Sequence, residues 1–420
     1  MREIITHSPI QVRPGSELTH ERLMSVLSAE SVNRLLEAIT ERDQTRLDIW
    51  NTFLKHPALD SLSTEDRDKM VTELIDARYD ILKKHYQIKS DDRLVLRDDK
   101  ENYIEVLKSI ISRLVREKIL VVKSADFHIC KACSYLIAPK EARITICPDC
   151  GSTHVGVAVK NGMFLNVDTG KMSEFETRDF DVFSAEGRNR VKSVMLTMPL
   201  VISAAKHRIH GVYLTEFGVS SEFRLDPKIA IALSGAVARE SGLGEIAISI
   251  QGIDSLKNNV PFTLLLDPDT KTKFLNIGMV PSFSTPEIER YGSLFYFPYL
   301  AMVVAGKSKK VSAEEIQSLF RQFEKTRAKL SSCLNALKNS TEKYAQGDIL
   351  SAKNEIDRLN DAIQIDLKNG EFRDVMAAMQ HFIFEWISRV YINQCRSSES
   401  KPDPVLLEYI KTILSPTFNV

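Results

Sequence analysis

Four cysteines stand as two C-x-x-C hooks, Cys130 with Cys133 and Cys147 with Cys150, in the stretch CKACSYLIAPKEARITICPDCGS. Two hooks on either side of a 13-residue loop can close a tetrahedral four-thiolate site, and zinc suits such a donor set. Four thiolates leave no position for water or substrate, so the expected role is structural zinc. Catalytic zinc and a redox dithiol are the weaker alternatives. His128 and His154 flank the hooks and read as surface or outer groups, since the ion is already satisfied. Cys333 and Cys395 fall in helical periodicity and read as small buried apolar residues.

Other residues could meet phosphate or bases. Lys206, His207, Arg208 and His210 form a small basic group before Gly211, for which a solvated loop is the simpler reading. Lys307, Lys309 and Lys310, followed on the next helix by Arg321, Lys325, Arg327 and Lys329, make a local patch suited to an RNA backbone. Acidic residues elsewhere on these helices keep an ordinary solvated face open as the alternative. Phe382, Phe384 and Trp386 could stack on bases, but their dense apolar neighbourhood favours a helical core.

A chain of 420 residues with 43% hydrophobic content can bury at least one full core, with about two to four domains expected from its length. Lys plus Arg and Asp plus Glu both number 56, so no global field draws the chain to nucleic acid or to a membrane. No apolar run approaches about 18 residues, and MREIITHSPIQVRPG lacks the apolar stretch of a signal peptide. With cysteines in tight pairs suited to a reducing compartment, the expectation is a cytoplasmic protein with no membrane contact.

The elements that would carry these residues follow from periodicity. A short strand at Glu3 to Thr6 precedes a Pro/Gly turn, and a helix begins near Leu18. Ser63-Thr64-Glu65-Asp66 reads as a helix start, and a second long helix runs from about Lys100 to Lys118, so the first 120 residues are expected to be mostly helical. Short β pieces surround the cysteines. Strands are expected at Gly162 to Val167, Glu245 to Ile250, Phe262 to Leu266 and Phe274 to Val280, with a helix near 228–240. After Pro286 the pattern is helical around 312–337, 348–367 and 371–393, with a short closing helix after Pro404. Strands alternating with helices, then helices alone, predict an α/β sheet followed by an all-α part.

The order of these pieces resembles a known family. DDRLVLRDDKENYIEVLKSIISRLVREKILVVKSADFHICKAC, from Asp91 to Cys133, is similar to the entry of the connective insert of class I aminoacyl-tRNA synthetases of the methionyl type. QGID, Gln251 to Asp254, resembles the Gly-x-Asp turn in the second half of their nucleotide-binding fold. STPEIERYGSLFYFPYL with VSAEEIQ resembles their passage to the helical domain, and IDRLNDAIQIDLKNGEFRDVMAAMQHFIFEWISRVYIN their anticodon-binding helices. The resemblance implies a Rossmann-type nucleotide-binding fold with a zinc-knuckle insert, followed by an all-α anticodon-binding-like bundle. The implied boundaries are 1–95 and 216–285 for the two halves of that fold, 96–215 for the insert with its knuckle at 130–150, and 286–420 for the bundle.

The chain departs from the family at its phosphate-handling motifs. Where HIGH is expected stands Thr19-His20-Glu21-Arg22; Glu21 replaces the glycine on which adenine packs, and its bulk and charge argue against ATP in the usual pose. Where the lysine-rich KMSKS loop is expected, Gly278-Met279-Val280-Pro281-Ser282-Phe283 runs into Thr285-Pro286 with no lysine. Gly170-Lys171-Met172-Ser173-Glu174 looks like that motif but lies before the second half-sheet and reads as a turn. The stretch between the first helix and Ser63 is expected to be too short for the strand that lines the family's amino-acid pocket, leaving Trp50, Phe53 and His56 as core or surface residues.

Remnant pocket candidates are His20, Glu21, Arg22, Gly252 and Asp254, with His7 beside them. The expectation is therefore a synthetase-like protein that has lost standard aminoacylation and binds tRNA, aminoacyl-tRNA or a protein partner. The alternative is an enzyme of specialised metabolism that activates or transfers an aminoacyl group in a remodelled pocket.

Overall fold

The computed structural model describes residues 3–12, 14–15, 20–40, 44–53, 56–86, 93–132, 136–137, 146–147, 150–167, 185–198, 201–277, 312–369 and 371–418. Its first strands are β1 (Glu3–His7), the two-residue β2 (Ile10–Gln11), β3 (Gln44–Asn51) and β4 (Arg93–Arg97). With β11 (Glu245–Gly252) and β12 (Lys273–Ile277) they form a sheet in the order β12-β11-β1-β3-β4, every neighbouring pair parallel, with β2 joined to the end of β3. Strands buried on both faces need apolar side chains at successive positions, as EIITH and EIAISIQG supply.

Helices cover both faces. On one side lie α1 (His20–Thr40) and α3 (Thr64–Tyr86), preceded by the single turn α2 (Pro57–Asp60). On the other lie α4 (Glu101–Arg116) and, after α5 (Ala185–Thr197), the helices α6 (Pro227–Ala232), α7 (Ser234–Glu240) and α8 (Ile253–Leu266). α4 shows the logic: Tyr103, Leu107, Ile110, Ile111 and Leu114 recur at helical spacing and are buried, each aliphatic member contributing about 1.5–3 kcal/mol by leaving water.

Between β4 and β11 the chain builds a four-stranded antiparallel sheet. β5 (Leu120–Cys130) pairs with β7 (Val155–Asn166) from Leu120 opposite Leu165 to Cys130 opposite Val155, flanked by β6 (Leu136–Ile137) and β8 (Val201–Ser203). The chain returns through a small antiparallel pair, β9 (Ala205–His207) with β10 (Phe223–Leu225).

The last part is helical. α9 (Ala313–Lys343) starts on a capping sequence in which Ser312 Oγ accepts from the Glu315 amide at 3.2 Å. α10 (Lys353–Asn369) follows, then a helical run from Phe372 to Ser397 with a π-helical middle at Phe382–Tyr391, then the closing turns from Pro404 to Phe418. α10 and the closing turns rest on α1, which explains why α1 is buried almost all round, including Ser25, Ser28 and Glu30. Cys333 and Cys395 are buried in this bundle. No helix among the described residues is long and apolar enough to cross a membrane.

Two sequence expectations are corrected. Phe262 to Leu266 is the end of α8 and not a strand: Leu256, Val260 and Leu264 recur every four residues and bury one helical face. The stretch between α1 and Ser63 does hold a strand, β3, whose alternation of Arg46, Asp48 and Trp50 with Leu47 and Ile49 hides its apolar pattern behind buried charges. The first 120 residues are mostly helical, as expected, and carry four strands of the parallel sheet, β1 to β4, beside those helices. α5 was not anticipated; its signal was the pair Val191 and Met195, four residues apart and both buried.

Candidate functional site

In an open parallel sheet, ligands bind outside the carboxyl ends of the strands where the strand order reverses. Here that place is between β1 and β11. Ser8 joins the two strand ends, its amide donating to Ile250 O at 2.9 Å and its Oγ accepting from the Gly252 amide at 3.0 Å. Gly252 thus ends β11 at the reversal point, and Asp254 lies in the first turn of α8 that follows. His20, Glu21 and Arg22 open α1, the helix that follows β1 and β2. The remnant pocket candidates thus stand on two helix starts, His20, Glu21 and Arg22 on that of α1 and Gly252 and Asp254 on that of α8.

A cavity of about 30 Å³ lies beside this point, between Thr6, Ser249, Gln251, Asn259 and Thr272. That is room for about two waters. Its wall is self-satisfied: Asn259 Nδ2 donates to Gln251 Oε1 at 3.2 Å, and Gln251 Nε2 donates to Ser249 Oγ at 3.0 Å.

His7, which also borders that cavity, is buried with its ring turned to Asp48. Its Nδ1 faces Ser8 O at 2.8 Å and its Nε2 faces Asp48 Oδ1 at 2.9 Å, and the ring makes both bonds only with both nitrogens protonated. Asp48 also accepts from Arg46 Nε at 2.7 Å, Arg46 Nη2 at 3.1 Å and Tyr79 Oη at 2.8 Å. Burial works against ionisation of this carboxyl, but Arg46 and His7 outweigh it and hold it well below the usual carboxylate range. Arg46 also pairs with Glu30 of α1, Trp50 Nε1 donates to Tyr79 Oη at 2.8 Å, and the Arg93 guanidinium stacks 3.3 Å from the Tyr79 ring centroid. Largely buried and densely hydrogen-bonded, this network fixes β1, β3, α1 and α3 to one another.

A second polar cluster sits at the carboxyl ends of β3 and β4, and sequence reasoning missed it. Asp98 Oδ1 accepts from the Thr52 amide at 2.8 Å and from Thr52 Oγ1 at 2.6 Å. Burial pushes the Asp98 carboxyl up to about 7 against those two bonds. Arg67, in the first turn of α3, donates from Nη2 to Thr52 O at 2.5 Å, and its guanidinium lies 4.9 Å from the Phe53 ring centroid. Arg208 donates from Nη1 to Phe53 O at 3.3 Å. His210 reaches the Asp60 backbone and has its pKa lowered by burial and by Arg67. The basic group expected as a solvated loop is thus in part a strand, with Lys206 paired to Asp226 at 2.8 Å, and in part this cluster. The signal available in sequence was Arg67 standing on the apolar row of α3, four residues before Val71 and eight before Ile75.

The knuckle lies at the far end of the antiparallel pair. Cys130 ends β5, and Cys147 and Cys150 lie on a turn in which the Gly151 amide donates to Cys147 O at 2.9 Å, with Gly151 at φ 71. The Sγ atoms of Cys130, Cys147 and Cys150 lie within 4.8 Å of one another, and those of Cys130 and Cys150 are 3.6 Å apart. Four thiolates about 2.3 Å from one zinc ion stand about 3.8 Å from each other, so this spacing fits the metal. The three thiols could therefore hold a metal ion; Cys133 lies outside the described residues.

In the bundle, Arg321 is exposed on α9 with Nε donating to Gln317 O at 3.4 Å. Lys307, Lys309 and Lys310, the stretch from Gly278 to Phe283 and Gly170 to Glu174 lie outside the described residues. Phe382 is buried and stacks on Trp386, centroids 4.8 Å apart, with Tyr391 next in the stack at 4.8 Å from Trp386. These aromatics serve the bundle core.

Comparison with known proteins decides what this architecture is. No protein-family model and no curated protein sequence matches the chain. The structure, in contrast, is similar to methionyl-tRNA synthetase of Mycobacterium tuberculosis bound by methionyl-adenylate, with a TM-score of 0.65 and 12% identity over 99% of this chain and 89% of that one. The fold is that of a methionyl-tRNA synthetase. The apo form of the same protein gives a TM-score of 0.62 at 11% identity, and a second methionyl-adenylate complex 0.64 at 12%, each again over 99% of this chain. Parallel nucleotide-binding-type sheet, cysteine-bearing antiparallel insert and helical C-terminal part all fall within the synthetase fold.

Proposed function

We propose that this chain uses the synthetase scaffold to bind tRNA or aminoacyl-tRNA, or a protein partner, and no longer carries out standard ATP-dependent aminoacylation. The observation that carries the reading is a mismatch. Likeness to the synthetase fold extends over 99% of the chain, including the helical part, while the first helix of the parallel-sheet part begins His20-Glu21-Arg22. An acidic residue in that first turn disfavours a polyphosphate nearby, because like charges in a partly desolvated crevice repel strongly. The sequence between Gly278 and Pro286 supplies no lysine to offset it.

In this reading residues 1–95 and 216–285 are the two halves of the nucleotide-binding-type fold, 96–215 the insert and 286–420 the RNA-facing bundle. Cys130, Cys133, Cys147 and Cys150 hold a structural zinc that ties the tip of the insert together. Lys307, Lys309, Lys310 and Arg321 neutralise RNA phosphates.

Amino-acid-dependent exchange of pyrophosphate into ATP is the deciding assay. No exchange with any of the standard amino acids, together with tRNA recovered and sequenced from the purified chain, is the expected result; exchange at synthetase-like rates would overturn it. A thermal shift with an amino acid or aminoacyl donor but none with tRNA would instead favour a remodelled aminoacyl-transferring enzyme.

A further inference from the structure

The dipeptide Thr52–Phe53, which leaves β3, is held from three elements at once. Arg67 of α3 takes Thr52 O, Arg208 beyond β9 takes Phe53 O, and Asp98 beyond β4 takes the Thr52 amide and hydroxyl. Each holder has a polar atom left over. Arg67 Nε, Arg208 Nε and Asp98 Oδ2 are buried atoms with no hydrogen-bond partner, as is His210 Nε2, whose ring is faced by Arg67, Asp60 and Arg224. Arg67 is 5% exposed and Asp98 4%, while Arg208 and His210 are half-buried and give the cluster its side toward solvent.

We infer that Arg67, Arg208, His210 and Asp98 line a binding site for a small oxyanion, a carboxylate or a phosphoryl group, at the seam between the parallel sheet and the chain returning from the antiparallel insert. Two guanidinium N–H groups with no other partner, on side chains already immobilised through their Nη atoms, are preorganised donors for such a group. Asp98 is faced by Thr52, Asp99, Arg67 and Tyr103. Near neutrality it is partly protonated, and in that form its second oxygen is a further donor to the anion. Binding should therefore weaken as pH rises past 7. The inference stands independently of whether the chain binds tRNA.

Sulfate and acetate serve as the tetrahedral and planar probes, since neither changes charge between pH 6 and pH 8. Titration calorimetry on the full chain, against sodium chloride at matched ionic strength, should show one saturable site at pH 6 that is about tenfold weaker at pH 8. The tighter of the two probes tells whether the natural group is phosphoryl or carboxylate. Arg208→Gln, at a half-buried position, should fold and lose at least tenfold in affinity; Arg67→Gln should do the same if it folds. Asp98→Asn should bind at pH 6 and lose the pH dependence. No binding beyond the chloride control, or a folded Arg208→Gln chain with wild-type affinity, would overturn the site and leave ordered water as its filling.

Discussion

Asp48 and Asp98 are both buried carboxyls at the same sheet, yet their surroundings push them in opposite directions. Asp48 is surrounded by Arg46, His7 and Tyr79, so Asp48→Asn strands buried positive charge and should destabilise the fold by about 3–5 kcal/mol, read from urea midpoints. Asp98 has its carboxyl raised from 3.8 to about 7. Between those values the unfolded chain has released the proton and the folded chain still holds it, so stability falls as pH rises through this window. Above it the loss amounts to about 4 kcal/mol. Asp98→Asn removes the titration. The stability of that variant relative to the parent should therefore rise by about 2.5 kcal/mol between pH 5 and pH 8; an unchanged difference would mean that Asp98 is ionised in the folded chain throughout. Neither network was legible in the sequence, because charged residues inside a strand such as Arg46 and Asp48 mimic an exposed edge. Only the fold reveals that Glu30, Tyr79 and His7 come from other elements to neutralise them.

At the scale of elements, the knuckle is a local device at the tip of β5 and β7, remote from the parallel sheet. The purified chain should contain about one zinc per molecule, and Cys147→Ser should abolish it, as measured by elemental analysis. Chelation should expose residues 130–155 to proteolysis while the sheet core stays protected, since the eleven-residue pairing of β5 with β7 begins at Leu120, far from the metal. This part of the chain was the most legible: two C-x-x-C hooks carry their chemistry in their spacing and need no tertiary knowledge. Long amphipathic helices such as α4 and α9 were equally plain. The strand β3 and the helix end at Phe262 to Leu266 were not, because a short apolar run fits either period until its neighbours are known.

For the whole molecule, the proposed reading assigns RNA contact to the bundle. Arg321→Glu should weaken tRNA binding uniformly across tRNA species and lower the salt dependence of affinity by about one counterion, checked by filter binding at several salt concentrations; a variant with unchanged affinity and salt slope would remove Arg321 from the interface. The order of elements was legible even where single motifs were not, because strand, insert and bundle follow one another as in the synthetase fold. The central position of β1 has a further consequence. Glu3 pairs with Glu245, so β1 acquires one of its two neighbours only after about 240 more residues have been made. At ordinary synthesis speeds this is a delay of roughly 12–50 s, during which one edge of β1 lies open. During translation that open edge is a place for a nascent-chain chaperone to bind, and ribosome profiling of chaperone engagement should show occupancy that ends once β11 has emerged.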